Sequence, residues 1–197
     1  MPNRTSQLNQ MESPFEVQEL FFSLTDQNGV IRHGNNVFAR VSEYSLDELI
    51  GTAHSIIRHP DMPRVVFKLL WETIERGETI AAYVKNRTQH GRYYWVLAVA
   101  MPCEGGYLSV RLKPTSGLLQ TVEELYGDLR QIELEIEAGE KQRPAAMAAS
   151  RKALTERLNS LGFPTYNDFM RHALSVEMQA RASISRRSSA KLRSDKQ

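Results

Sequence analysis

Beyond Leu20 the apolar positions of the chain change period three times. Phe21 to Thr25 and Val30 to His33 are short strand-like runs. Between them lies Asp26-Gln27-Asn28-Gly29, where Asn and Gly tolerate positive φ, so residues 20–33 predict a hairpin. Helical spacing follows. Asn35 or Asn36 is placed to cap a turn carrying Val37, Phe38 and Val41. Ser45 and Glu48 have capping-box spacing, with Gly51 closing the turn they open. Pro63 suits the start of a longer helix because it has no amide hydrogen to lose there. Val66, Leu69, Leu70 and Ile74 give that helix an apolar stripe, and Gly77 stops it. Three strands then follow over 79–87, 92–101 and 107–113, with turns at Gln89-His90-Gly91 and Glu104-Gly105-Gly106. The order β-β-α-α-α-β-β-β predicts an α+β domain: a five-stranded antiparallel sheet with helices on one face.

After Pro114 the pattern is helical. Leu118, Val122, Leu125, Leu129, Ile132 and Ile136 form a heptad seam just short of three heptads. A second helix is expected near 145–160, with Leu154, Leu158 and Leu161, and a third from about Asn167. The seam has two uses. It can pair two chains in a homodimer through the 116–138 helix and the sheet, or fold back on the helices at 145–178. The chain thus divides into an N-terminal arm (1–18), an α+β domain (19–115), a helical extension (116–180) and a basic tail (181–197) rich in Ser, Arg and Lys, expected to be disordered.

Composition narrows the class. The 197 residues are 41% hydrophobic with a net charge of +2, too small an excess to point to nucleic acid. No apolar run approaches the ~20 residues that cross a bilayer, and the first twenty residues hold no apolar leader segment. Cys103 is the sole cysteine, which suits a reducing compartment. These features predict a cytoplasmic protein without direct membrane insertion.

The candidate chemistry sits in two polar clusters within apolar sequence. The first is Ile57-Arg58-His59-Pro60-Asp61-Met62-Pro63, followed by Phe67 and Trp71; the second is Val84-Lys85-Asn86-Arg87. Together they point to a pocket that holds something polar. Asn86 offers a donor and an acceptor, and Arg58 can engage a phosphate bidentately. Arg58 and Asp61 can equally pair with each other, His59 suits pH sensing, metal or haem, and Trp71 and Trp95 can be core. His33, His54, His90 and His172 lack metal spacing and read as ordinary. No acid–base pair or nucleophile–base arrangement stands out, so no enzyme is expected.

The element order, the Thr25–Ile31 hairpin, the Asn35–Phe38 and Ser42–Gly51 helices, and above all the Arg58–Pro63 run with Phe67, Trp71, Val84–Arg87 and Tyr94-Trp95-Val96 resemble the sensor PAS domain of bacterial aerotaxis receptors. The resemblance covers roughly residues 18–115. It implies non-covalently bound FAD and redox or oxygen sensing. The implied cofactor-binding set is Arg58, His59, Asp61 and Asn86, with Phe67, Trp71, Lys85 and Ile80. Ile80 stands where the family pattern has a tryptophan. FMN, haem or no cofactor are the alternatives, the last leaving an interaction module. A complete chain of this length would signal to a separate chemoreceptor-like protein, in energy taxis.

Overall fold

The computed structural model describes residues 8, 10–140 and 143–194. Five strands, β1 (Leu20–Asp26), β2 (Ile31–Gly34), β3 (Ile80–Arg87), β4 (Tyr93–Cys103) and β5 (Gly106–Leu112), form one antiparallel sheet in the order β2-β1-β5-β4-β3. The last strand lies beside the first, paired in register from Leu20↔Leu112 to Asp26↔Gly106. Between the hairpin and the closing strands run α1 (Asn36–Ser42), α2 (Leu46–Leu49), a 3-10 turn over His54–Ile57 and α3 (Arg64–Glu75). The local signals act as their chemistry dictates. Asn35 caps α1 through Phe38, Ser45 and Glu48 form the reciprocal capping box, and Pro63 immediately precedes α3.

The extension is three helices, α4 (Leu118–Glu140), α5 (Arg143–Ser160) and α6 (Tyr166–Ser194). The α4 seam folds back on α5 within the chain, and Val122, Leu125 and Leu129 are buried with Leu154 and Leu158. The extension also covers the far face of β3 and β4, where Trp95 packs on Tyr126 and the Tyr83 hydroxyl donates to Glu177. The sheet therefore has helices on both faces at this end. That explains the near-continuous burial of β3 and β4.

Two boundary expectations change. The arm is docked from Met11 onward: the Tyr93 amide donates to the Met11 carbonyl, the Ser13 amide donates to the Tyr93 carbonyl, and Phe15 is buried edge-on to Phe21 and Tyr94. Polar composition hid this because one aromatic and a few backbone bonds suffice to dock a short segment. The tail composition at 181–197 is helical as far as Ser194, since Ala, Arg, Lys and Leu cost a helix little. Arg181 donates to the carbonyls of Lys113 and Val17, tying α6 to both the sheet and the arm. Residues 1–7, 9 and 195–197 lie outside the described residues.

Several polar contacts link the extension to the helix layer on the opposite side of the sheet, among them Arg64 with Glu137 and Arg151 with Glu72, and one of them is fully buried. Glu133 of α4 is fully buried and accepts from the Arg64 and Val65 amides at 2.8 and 3.0 Å, serving as a long-range N-cap for α3, which has no side-chain cap of its own. Glu133→Ala is expected to cost about 2 kcal/mol by orphaning both amides. A melting curve checks it. The loss should appear with Glu133→Ala and not with Glu135→Ala, which lies on the exposed face.

Candidate functional site

The site grows out of how β1 and β5 alternate. Ser23 and Thr25 on β1, and Tyr107, Ser109 and Arg111 on β5, face inward, toward the helices. Their apolar neighbours Phe22, Leu24, Leu108 and Val110 take the other face. From β3 and β4 the inner face contributes Val84, Asn86, Ala98 and Ala100. Across from them, α3 contributes Phe67, Leu70, Trp71 and Ile74. The 3-10 turn brings His54, and Arg58 follows it. Together these residues line a partly open cavity of about 320 Å³, at the small end of the range for small-molecule sites. The lining includes two arginines and no carboxylate.

The small alanines of β4 make the volume, and aromatic packing makes the walls. Trp71 stands edge-on to Tyr107 at 5.6 Å. Its ring lies so close to Gly29 that a Cβ there would meet it at 2.9 Å, and Gly29 also has φ +75°. Behind the β1/β5 end, Phe21, Phe38 and His54 stack in a column with centroids 5.9 and 6.0 Å apart.

The polar groups sit at two ends. At the β3 end Asn86 is 3% exposed, and its Nδ2 has no partner within the protein. A buried amide N–H₂ without an acceptor costs on the order of 1–3 kcal/mol unless something else accepts from it. Beside it, the backbone of Arg58 bridges that of Asn86, and the Arg58 guanidinium lies over the Phe67 ring at 3.8 Å. Burial lowers the Arg58 pKa from its usual value, with the Arg64 charge adding to the effect.

At the β1/β5 end Arg111 is 4% exposed. Its Nη1 donates to Ser23 Oγ at 3.0 Å, and Nη2 donates to His54 Nε2 at 2.6 Å. His54 Nε2 must therefore be the unprotonated nitrogen. Burial and the adjacent guanidinium push the His54 pKa down to about 3, so the ring is neutral at physiological pH. Burial likewise pushes Arg111 down, to about 10, which leaves it charged.

Of the residues singled out in the sequence, Arg58, Phe67, Trp71 and Asn86 come together on the cavity wall. Asp61 and Lys85 do not. They pair at 2.7 Å on the opposite face of β3, because Lys85 and Asn86 are neighbours on a strand. There they border a second, smaller groove with Met62, Trp95 and α4. His59 is buried against that pair, its Nδ1 accepting from the Asp61 amide at 3.2 Å. Burial pushes its pKa down to about 4, against the pull of Asp61, so it too is neutral. It shapes the Arg58–Pro63 loop and does not line the cavity. Ile80 is buried at the start of β3, paired with Ala100, outside the lining. His54, Ser23 and Arg111 are the residues sequence reading passed over. Ser23 and Arg111 are polar alternates in β1 and β5, which look the same whether they face solvent or a cavity, and His54, on the 3-10 turn, has no metal spacing to set it apart from an ordinary histidine.

Residues 31–107 match the family model described as PAS fold. The aerotaxis receptor of Escherichia coli (strain K12) is 40% identical over 124 residues, which cover 60% of this chain and 24% of that protein. The chain thus spans about a quarter of the relative it matches. Among solved structures, a blue-light activated histidine kinase of Erythrobacter litoralis matches 72% of this chain and 49% of its own, with 15% identity and a TM-score of 0.46. A domain of a sensory box histidine kinase/response regulator from Geobacter sulfurreducens matches 48% of this chain and 82% of its own, with 17% identity and a TM-score of 0.41. Among the described residues no helix is long and apolar enough to cross a membrane, and no cluster of His, Cys, Asp or Glu has metal-binding geometry.

Proposed function

We propose that this chain, which carries a PAS domain of the aerotaxis-receptor type, is a cytoplasmic, non-enzymatic sensor that binds a flavin, FAD in the first instance, in the cavity between α3 and the sheet. The observation that carries the reading is the unpartnered Nδ2 of Asn86, buried and aimed into a cavity with apolar flat walls. The residues fit the group. Trp71, Leu70, Ile74 and Val84 offer the apolar slot that a flat ring system needs. Asn86 offers an amide edge to its carbonyl and imide groups, and Arg58, also on the lining, offers a guanidinium to a phosphate. A bound flavin supplies reversible electron uptake. The protein's own residues bind it, orient it and exclude water from it.

The output runs through the extension. Phe67, Leu70, Trp71 and Ile74 on α3 wall the cavity, and the N-terminus of α3 is held by Glu133 of α4. A ligand state that shifts α3 biases α4, provided the two states bind differently. The recipient is a chemoreceptor-type signalling protein, by likeness to a relative named as a receptor. A homodimer is a further part of this reading. Leu20, Phe22, Leu24, Leu108 and Val110 form an apolar stripe on the outer face of β1 and β5, and Leu20 and Phe22 are exposed.

Titration of FAD and FMN into the apo protein, followed by quenching of flavin fluorescence, tests the reading. FAD should bind tighter than FMN, and Arg58→Ala should weaken FAD roughly tenfold through loss of its ion contact. No quenching with either flavin would leave the cofactor-free interaction module as the better account.

A further inference from the structure

The second arginine of the cavity has a partner set that makes little sense for structure alone. Arg111 is 4% exposed, and the side chains that hold it, Ser23 and His54, are both neutral. Around it also stand the Ser109 carbonyl at 3.5 Å, the faces of Phe21 and Phe38, 5.6 and 5.5 Å from the guanidinium carbon, and the buried, neutral Tyr94 hydroxyl, which is near enough to feel its charge. No ion pair involving Arg111 occurs among the described residues, and no carboxylate lines the cavity that it borders. A guanidinium carries five N–H donors, more than these acceptors use. A buried cation without an anion is expensive to a fold. Other buried polar groups here are treated differently: Glu177 and Glu133 are met by donors on several sides.

The arginine is also held still. Ser23 accepts from one terminal nitrogen and His54 from the other, and His54 is locked by its stack on Phe38. Two fixed acceptors orient the fork, which leaves its remaining donors available on the cavity side.

We propose that Arg111 is a ligand-binding residue, and that the cavity takes a molecule presenting an anionic or carbonyl-oxygen group to the β1/β5 end, with Ser23 and His54 as positioning residues. The charge that costs the empty fold is then matched in the complex. The end-to-end layout becomes a specificity rule. The ligand must offer an acceptor to Asn86 at the β3 wall and a second, electron-rich group to Arg111 across the cavity. A neutral hydrocarbon of the same shape would satisfy the walls and neither end. The choice of FAD as probe rests on the flavin reading; the assignment of Arg111 rests on its own surroundings.

Arg111→Met tests this, because it keeps the side-chain length and removes the charge. Two quantities are measured on the full chain: the melting temperature of the apo protein, and the affinity for FAD. The expected result is a melting temperature equal to or above that of the wild type, with FAD bound at least about tenfold more weakly. Arg111→Lys, which keeps the charge and loses the fork, should bind FAD with intermediate affinity. A melting temperature several degrees lower, or an insoluble Arg111→Met protein, would make Arg111 structural and overturn the proposal. Unchanged FAD affinity would overturn it as well. If the wild type itself takes up no FAD, the flavin reading falls, and the apo melting comparison still decides Arg111.

Discussion

Asn86→Leu is expected to lower flavin affinity by roughly 100-fold while moving the apo melting temperature by no more than about 3 °C. The two halves of this result have one cause. Asn86 sits on β3 with its Nδ2 buried and unpartnered, so the apo fold gains little from the amide. Leucine is close in size, suits a half-apolar wall beside Val84 and Ala98, and removes a donor that the protein does not satisfy. A ligand edge that both donates to and accepts from the amide loses both bonds at once. Its own polar atoms are then buried without partners, which is the costlier part. Equilibrium binding of FAD and a melting curve on the same samples give both numbers. A collapse of the fold on substitution would mark Asn86 as structural.

The second large effect is on stability. Glu177→Ala is expected to cost about 3–5 kcal/mol, or roughly 10 °C in melting temperature for a chain of this size. Glu177 is 1% exposed and sits where α6 crosses the junction between β5 and α4. Its Oε2 accepts from the Thr115 amide at 2.7 Å, the Thr115 hydroxyl at 2.8 Å and the Ser116 amide at 3.1 Å. Its Oε1 accepts from the Tyr83 and Ser116 hydroxyls at 2.9 and 2.8 Å. Alanine leaves all of these donors inside, facing a cavity.

The same residue gives the protein an acid limit. Burial by itself would raise the Glu177 carboxyl, but the Thr115 amide and the surrounding hydroxyls outweigh it and hold the pKa below its ordinary value. A carboxylate depressed in the folded state contributes its full stability above the unfolded value of about 4.3. That contribution fades as pH falls through the lower folded value. The wild type should therefore lose stability on acidification below about pH 4. Glu177→Gln should start lower and show a flatter acid limb. Parallel limbs in the two proteins would assign the acid limit elsewhere.

How much of this was written in the sequence differs from element to element. The strands and helices of the domain were legible because their signals are local: Asn35 and Ser45 cap, Gly29 and Gly77 turn, and apolar periods switch cleanly at Pro63 and Ile80. The fold-back of α4 was left open for a physical reason. A heptad seam specifies an apolar partner but not whose chain supplies it. The site was half legible. Period-two alternation on β3 already separates Asn86 from Lys85, so the Arg58–Pro63 run and the Val84–Arg87 run could not both act wholly on one side of the sheet. The structure sends Arg58 and Asn86 to the cavity, and Asp61 and Lys85 to the far face.

The residues that were missed share one feature. Ser23, Thr25, Ser109 and Arg111 are the polar alternates of strands whose other alternates are Phe22, Leu24, Leu108 and Val110. Ordinary amphipathic reasoning turns the polar set outward. Here it lines a cavity, and the apolar set carries the outer face, part of it exposed. Only the three-dimensional placement of α3 and the 3-10 turn over that face distinguishes the two. Glu133 and Glu177 were missed for a similar reason. A glutamate on a helix reads as solvated surface until a distant amide or hydroxyl is brought against it.

The central claim is that the cavity holds a flavin, and the most direct measurement is the visible absorption spectrum of the full chain produced with riboflavin in the medium, followed by acid release of whatever is bound. The account predicts a yellow protein with the two oxidised-flavin bands in the near-ultraviolet and the blue, bleached by reductant. The released pigment should co-migrate with FAD. A colourless protein that stays colourless after incubation with excess FAD would contradict it.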